Sequence, residues 1–426
     1  MAVSSPVTAA VDPVPPVLSG RPARQRSLRE ANLALALRHV AAATVPVSRA
    51  DIAAETGFTR STASTLVDAL LAGGLVRELD PVATAGAGRP ATGLVLAPDG
   101  AAGMGLEVNV DYLAACVVDL TGAVRHREVV LGDQRGRPPG SVLADVVDLA
   151  ASARTAARRQ GVPVAGARLA VPGLVESGEG LLRLAPNLDW HDVDVLGPLR
   201  TDLRMSGMSL AVDNEANLAA LGELYRSGAG GAQSFVQLSG EIGVGAGIVL
   251  DGRLFRGTHG WGGEIGHLAV RPDGPACACG SRGCLEQWAG QEAILRAARL
   301  RTKTGTTMAG QPGLDQLLER ARAGRPALLA ALEQAGTALG IAVAGVVNLI
   351  DVDTVVLGGL YASLAPWVQP PVEREIAGRV LAHRWSPIRV TVSQLGGDAA
   401  ILGGAGAVVQ EVLDHPAARL GEPLNR

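Results

Sequence analysis

Two separate segments of this chain follow one plan, and that duplication limits the folds open to it. GMGLEVNVDYLAACVVDLTGAV (103–124) reads as two apolar strands joined by a tight turn and followed by Asp-Leu-Thr-Gly. FVQLSGEIGVGAGIVLDGRLF (235–255) is again strand, Gly-rich turn, strand and Asp-Gly. Two such units, each followed by helical stretches, predict an α/β fold of two similar lobes, with a ligand cleft at the strand ends between them. Composition limits how the lobes pack. Hydrophobic residues make up 47% of the chain but aromatics only 3%, so the cores must be Ala, Val and Leu, with glycine allowing close approach. At 426 residues the chain exceeds one ordinary domain.

Before residue 100 the texture differs. REANLALALRHVAAA (29–43) carries apolar residues at helical spacing. Ser48 can cap a second helix, RADIAAETG, with Asp51 in its first turn and Gly57 at its end. RSTASTLVDALLAGG (60–74) follows as a third. Three short helices with a Gly turn between the second and third predict a helix-turn-helix. Leu66, Val67, Leu70 and Leu71 face its core, while Thr59, Arg60, Ser61, Thr62, Ser64 and Thr65 form a hydroxyl-rich first half suited to the major groove. There Arg60 can read a guanine edge. The next segment, 75–100, reads as strand, Gly-rich tip and strand, a wing with Arg89 near its tip as a minor-groove or phosphate contact. The alternative is a plain three-helix bundle with a polar surface helix. Residues 21–90 hold nine Arg against six acids in a chain whose net charge is −3, a local basic excess that favours DNA only modestly.

The expected organisation is a disordered tail over 1–20, a winged helix-turn-helix over 21–98 and a two-lobed domain over 99–426. The Pro/Ala/Val/Ser-rich tail lacks the basic and apolar regions of a signal peptide. Apolar runs elsewhere are broken before bilayer length. A soluble, cytoplasmic protein with no membrane association is expected.

Three of the four cysteines fall within eight residues, in CACGSRGCLEQW (277–288), and GEIGH (263–267) lies just upstream. His267, Cys277, Cys279 and Cys284 supply one imidazole and three thiolates, a tetrahedral set suited to structural Zn2+ with no open position. Reduced free thiols or a regulatory disulfide are the competing readings. Cys116, on an apolar strand, reads as a core residue, and His39 and His259 as surface or packing residues.

DNEANLAALGEL (213–224), GVGAGIVLDGRLFRGTHGWGGEIGH (243–267), CACGSRGCLE (277–286) and NLIDVDTVVLGG (348–359) together resemble the ROK family, which groups sugar-responsive repressors with sugar kinases. With the winged helix included, the resemblance runs from about residue 27 to 410. It implies an actin-like, ribonuclease-H-like sugar-kinase fold behind the winged helix, and sugar contacts at Asn187, Asn214, Glu215, Glu264, His267 and Glu286. It also implies a homodimer on two-fold operator DNA, with further pairing into a tetramer left open. The chain departs from the family's kinases where phosphate would bind. Glu107-Val108-Asn109-Val110-Asp111 replaces an Asp-x-Gly-Gly-Thr loop, and Glu241-Ile242-Gly243 replaces Gly-Thr-Gly. Carboxylates repel a triphosphate, most strongly in a partly dry cleft. Glu215 stands for the catalytic Asp, and one added methylene moves a carboxylate by about 1 Å, a misplacement that can cost roughly 100-fold in rate. The expectation is a sugar-controlled repressor of carbohydrate-metabolism genes, not an enzyme. The rival is an active ATP-dependent sugar kinase with a fused DNA-binding domain.

Overall fold

The computed structural model describes residues 25–79, 92–227, 231–300 and 311–420. Residues 1–20 and the wing tip with Arg89 lie outside them.

Three helices, α1 (Gln25–Ala42), α2 (Arg49–Thr56) and α3 (Arg60–Ala72), precede the hairpin β1 (Val76–Glu78) and β2 (Leu94–Leu96). Local chemistry sets each boundary. The Ser48 hydroxyl accepts from the Asp51 amide, and the Asp51 carboxylate accepts from the Ser48 amide, a reciprocal capping box that starts α2. Gly57, at φ 74°, ends α2 in the left-handed region that disfavours a Cβ. Arg49 then ties α2 to Asp68 on α3 at 2.6 Å and to Glu78 on β1 at 3.0 Å.

The first lobe holds β3 (Ala102–Val108), β4 (Tyr112–Asp119), β5 (Val124–Leu131), α4 (Pro139–Arg159) and β6 (Val164–Val171). A small sheet of β7 (Leu174–Glu176), β8 (Leu181–Ala185) and β9 (Trp190–Asp194) follows, then α5 (Gly197–Thr201), β10 (Ser209–Asn214) and α6 (Glu215–Ser227). The second lobe holds β11 (Phe235–Gly240), β12 (Val244–Leu250), β13 (Arg253–Leu254), α7 (Glu286–Ala289), α8 (Gln291–Ala297), α9 (Gln311–Arg322), α10 (Pro326–Ile350), β14 (Thr354–Gly359), α11 (Leu360–Arg379) and β15 (Arg389–Val392). Helix α12 (Ala399–Asp414) follows.

The two main sheets have one topology. Their orders are β10-β6-β3-β4-β5 and β13-β12-β11-β14-β15; in each, an antiparallel meander of three strands is extended by two parallel strands. The duplication read from 103–124 and 235–255 is therefore real in three dimensions. Two helices separate the sheets, giving the layers α4, sheet, α12, α6, sheet, α10 with α11. Strand alternation explains the glycines. Met104, Leu106 and Val108 of β3 face the α4 side, while Gly103 and Gly105 face α12, where a Cβ would collide with the Ala405 and Ile401 carbonyls. Gly403 of α12 meets α6 the same way, against the Leu218 carbonyl. Cys116 is buried in the first sheet, its thiol donating to the Ile401 carbonyl at 3.3 Å.

Helix α10 is long and apolar enough to cross a membrane by length and composition, yet it forms the second lobe's core, with Leu328, Leu332, Leu339 and Val343 buried. The winged helix does not close its own core. Leu33, Leu37, Val67 and Leu70 share one apolar cluster with Val408, Val409, Val412 and Leu413 of α12, and Arg38 pairs with Asp414 at 2.9 Å.

Candidate functional site

On α3, Ala63, Leu66, Val67 and Leu70 are buried, so the opposite side of the helix is left to solvent. Thr59, Arg60, Ser61 and Thr65 are exposed, and Thr62 and Ser64 half-buried. Part of this hydroxyl set serves the helix itself. The Thr59 side chain is the N-cap, accepting from the Thr62 amide at 3.1 Å, and Thr65 donates to the Ser61 carbonyl at 3.0 Å. Arg60, at the first helical position, makes no hydrogen bond or ion pair among the described residues, which leaves its guanidinium available.

All six residues expected to contact sugar line one cavity of about 60 Å³ between the lobes. Asn187 comes from the β8–β9 turn, Asn214 and Glu215 from the junction of β10 with α6. Glu264 and His267 come from the segment after β13, and Glu286 from the start of α7. Pro172, Gly173, Gly243 and Gly263 complete the walls. Gly243 is required for its size, since a Cβ there would lie 2.4 Å from a Glu286 oxygen and 3.2 Å from Asn187 Nδ2. Asn214 also shapes the junction it sits on. Its Oδ1 accepts from the Ala216 amide at 2.8 Å, capping α6, and its Nδ2 donates to the Gly173 carbonyl at 3.0 Å. Asp213, which sequence reasoning passed over, holds the same junction by accepting two bonds from Arg256, at 3.0 and 2.6 Å. A larger cavity, about 1160 Å³, lies over α6 and α12 and contains none of the expected site residues.

His267, Cys277, Cys279 and Cys284 converge, with ligand atoms within 4.8 Å of one another, into a cluster that could hold a metal ion. The sulfurs of Cys279 and Cys284 are 3.7 Å apart and not bonded. Two Zn–S bonds of about 2.3 Å at a tetrahedral angle would separate sulfurs by about 3.8 Å, so the spacing fits that ion. The imidazole faces two ways. Nδ1 lies 3.8 Å from the Cys277 sulfur, and Nε2 points away from it, 4.0 Å from a Glu264 oxygen in the cavity wall.

The cavity is electrostatically unusual. Burial pushes the Glu215 carboxyl up to about 8, with Glu107, Glu264 and Glu286 adding repulsion. Burial likewise raises Glu264 and Glu286. A second acidic group lies behind the first. Glu107, 3% exposed, accepts from Tyr112 at 2.8 Å and from Asn109 at 3.1 Å; burial still carries it to about 7, and its second oxygen has no hydrogen-bond partner among the described residues. Glu241 is raised well above the carboxylate range by burial, then by Glu107 and Glu215. Next to it, Ile242 packs against the first lobe's core although it belongs to the second.

A model of the ROK family matches residues 103–411. The xylose repressor of Bacillus spizizenii is 26% identical over 372 residues, covering 87% of this chain and 92% of the repressor. The glucokinase of Thermotoga maritima is 32% identical over 251 residues, covering 57% of this chain and 78% of the kinase. Among solved structures, a ROK family transcriptional regulator, a homologue of the E. coli MLC protein, matches with a TM-score of 0.77 and 24% identity over 93% of this chain and all of that one. That likeness speaks to the fold, winged region included.

Proposed function

The chain belongs to the ROK family, and we propose that within it this protein is a sugar-responsive transcriptional repressor of carbohydrate-metabolism genes, working in the cytoplasm as a homodimer on two-fold operator DNA. The observation that carries the reading is the joint between its halves. The recognition helix α3 sits in a core closed by α12, and α12 packs on α6, whose first residues, Glu215 and the capping Asn214, stand in the interlobe cavity. A sugar that favours one arrangement of the lobes thus acts on the element that seats the winged helix, which is a coupling of two sites through shared packing. Xylose repressors among its relatives support the same class.

In this reading Zn2+ is held by His267, Cys277, Cys279 and Cys284, and its contribution is structural. His267 Nδ1 is the ligand atom, leaving Nε2 to donate to a sugar hydroxyl beside Glu264. Glu215, Glu264 and Glu286 accept from hydroxyl pairs, and Asn187 donates. The Glu107–Asp111 and Glu241–Gly243 segments lack the Gly-Thr loops that would cradle a triphosphate, which supports the non-kinase reading.

The glucokinase relatives favour the kinase alternative enough to require a test. Purified protein incubated with ATP and a panel of pentoses and hexoses should show no phosphorylation, and turnover at ordinary kinase rates would replace this reading. Arg60→Ala tests the other half. By fluorescence anisotropy it should weaken specific operator binding by about tenfold or more and leave sugar affinity unchanged. An equal loss of sugar affinity would mean that Arg60 supports the fold instead.

A further inference from the structure

In a chain with 3% aromatics, the segment that forms one wall of the interlobe cavity exposes two large ones. Phe255 is 43% exposed and Trp261 38%, and the His259 ring stacks on Trp261 with centroids 5.3 Å apart and planes tilted by 37°. Trp261 sits between two residues whose positions fix its place. Gly262 lines the cavity. Gly260 reaches across to the first lobe, where a Cβ would lie 3.3 Å from the Val175 carbonyl of β7, and β7 begins one residue beyond the wall glycine, Gly173. Trp261, exposed between these two glycines, therefore stands beside the cavity wall, close to where the two lobes meet.

The segment is anchored at its root, so the ring pair is held in place. The Gly262 amide donates to the Arg256 carbonyl at 2.8 Å, closing the loop, and Arg256 donates two bonds to one oxygen of the buried Asp213 beside Asn214. Glu264, three residues after Trp261 in the same segment, lines the cavity with Glu215 and Glu286, so a sugar seated on these carboxylates has Trp261 beside the wall it rests on.

Resting on the reading of this cavity as a sugar site, we propose that Trp261, braced by His259, forms an outer subsite that stacks on the apolar face of a second sugar ring, so that the effector is a disaccharide or longer oligosaccharide. An exposed indole gains from covering C–H surface while the hydroxyls at the ring edge stay in water. The carboxylates inside would recognise the first ring and the indole the second.

Isothermal titration calorimetry on the full-length chain decides this, with glucose against cellobiose and maltose, and xylose against xylobiose. The expected result is one disaccharide binding about tenfold more tightly than its monosaccharide. Trp261→Ala should erase that advantage while the monosaccharide stays within about twofold, and Trp261→Phe should retain most of it. Equal affinities within every pair, or an equal loss of both sugars in Trp261→Ala, would overturn the outer subsite. If no sugar of either size binds, the sugar reading of the cavity falls, and the subsite with it.

Discussion

The two halves of the interlobe cleft carry nearly the same side chains and use them in opposite ways. On one half, Glu264, Glu286 and Glu215 line an open cavity beside a histidine grouped with three thiols. On the other, Glu107 is bonded to Tyr112 and Asn109 and sealed from solvent, while Glu241, half-buried, forms no wall of the cavity. A carboxylate facing the cavity can accept from a ligand, whereas Glu107 already accepts from two groups of the protein. Burial raises the carboxyls of both halves, so what differs is access and internal bonding, not desolvation. In the proposed reading, that difference separates the half that takes a polyol from the half that takes neither sugar nor phosphate.

The contrast breaks most completely if the metal cluster is not what orders the open half. Cys284→Ser removes the fully buried thiol. Metal analysis should then fall from about one zinc per chain to near none, with sugar-dependent release of operator abolished, because a structural ion's binding energy is part of the site's folding energy. A parent protein without zinc, or a variant that still answers to sugar, would separate cluster from pocket. Glu264→Gln is a smaller cut. It keeps the shape and removes a charge-assisted acceptor, so sugar affinity by calorimetry should drop about 10- to 100-fold, with operator affinity in the absence of sugar unaltered. An unchanged affinity would take Glu264 out of recognition.

How much of the molecule is legible in its sequence follows the range of the forces involved. Strand alternation, caps and Gly turns act over a few residues, so the three-helix head, the duplicated strand-turn-strand unit and the helix start at Ser48 with Asp51 can be read directly from the chain. The convergence of Asn187 with Glu286, or of Cys277 with His267, needs long-range closure and is reached only through resemblance to a family and through ligand chemistry. Other features have no local signal at all. The sharing of α12 between the winged helix and the first lobe depends on which faces of a late helix stay apolar after the sheet is covered. Likewise, the pairing of Asp213 with Arg256 joins residues 43 apart in sequence, and by itself Asp213 reads as one more polar residue in a motif. The Glu107 loop reads as a place that repels phosphate; its internal bonding to Tyr112 is a finding of the fold.

The sealed half offers the finest test, because its ionisation should be measurable without any ligand. Glu107 moves from about 4.5 in an unfolded chain to about 7 in the folded one, and Glu215, on the cavity half, to about 8, both chiefly through burial. A carboxyl with its folded value raised favours the folded state fully where both states keep the proton, below about 4.5. That contribution is lost as pH climbs through the folded value. Stability should therefore decline between about pH 5 and pH 8, as desolvated carboxylates are forced to ionise. Glu107→Gln retains an oxygen to accept from Tyr112 and Asn109 but has no proton to lose. Its decline should be shallower, with a gain at pH 8 on the order of 2 kcal/mol and little difference at pH 5, read from denaturant midpoints across that range. Glu107 is not among the cavity residues, so sugar affinity should stay put. Parallel pH profiles for parent and variant would mean that Glu107 is solvated in solution and that the two halves of the cleft differ less than their burial implies.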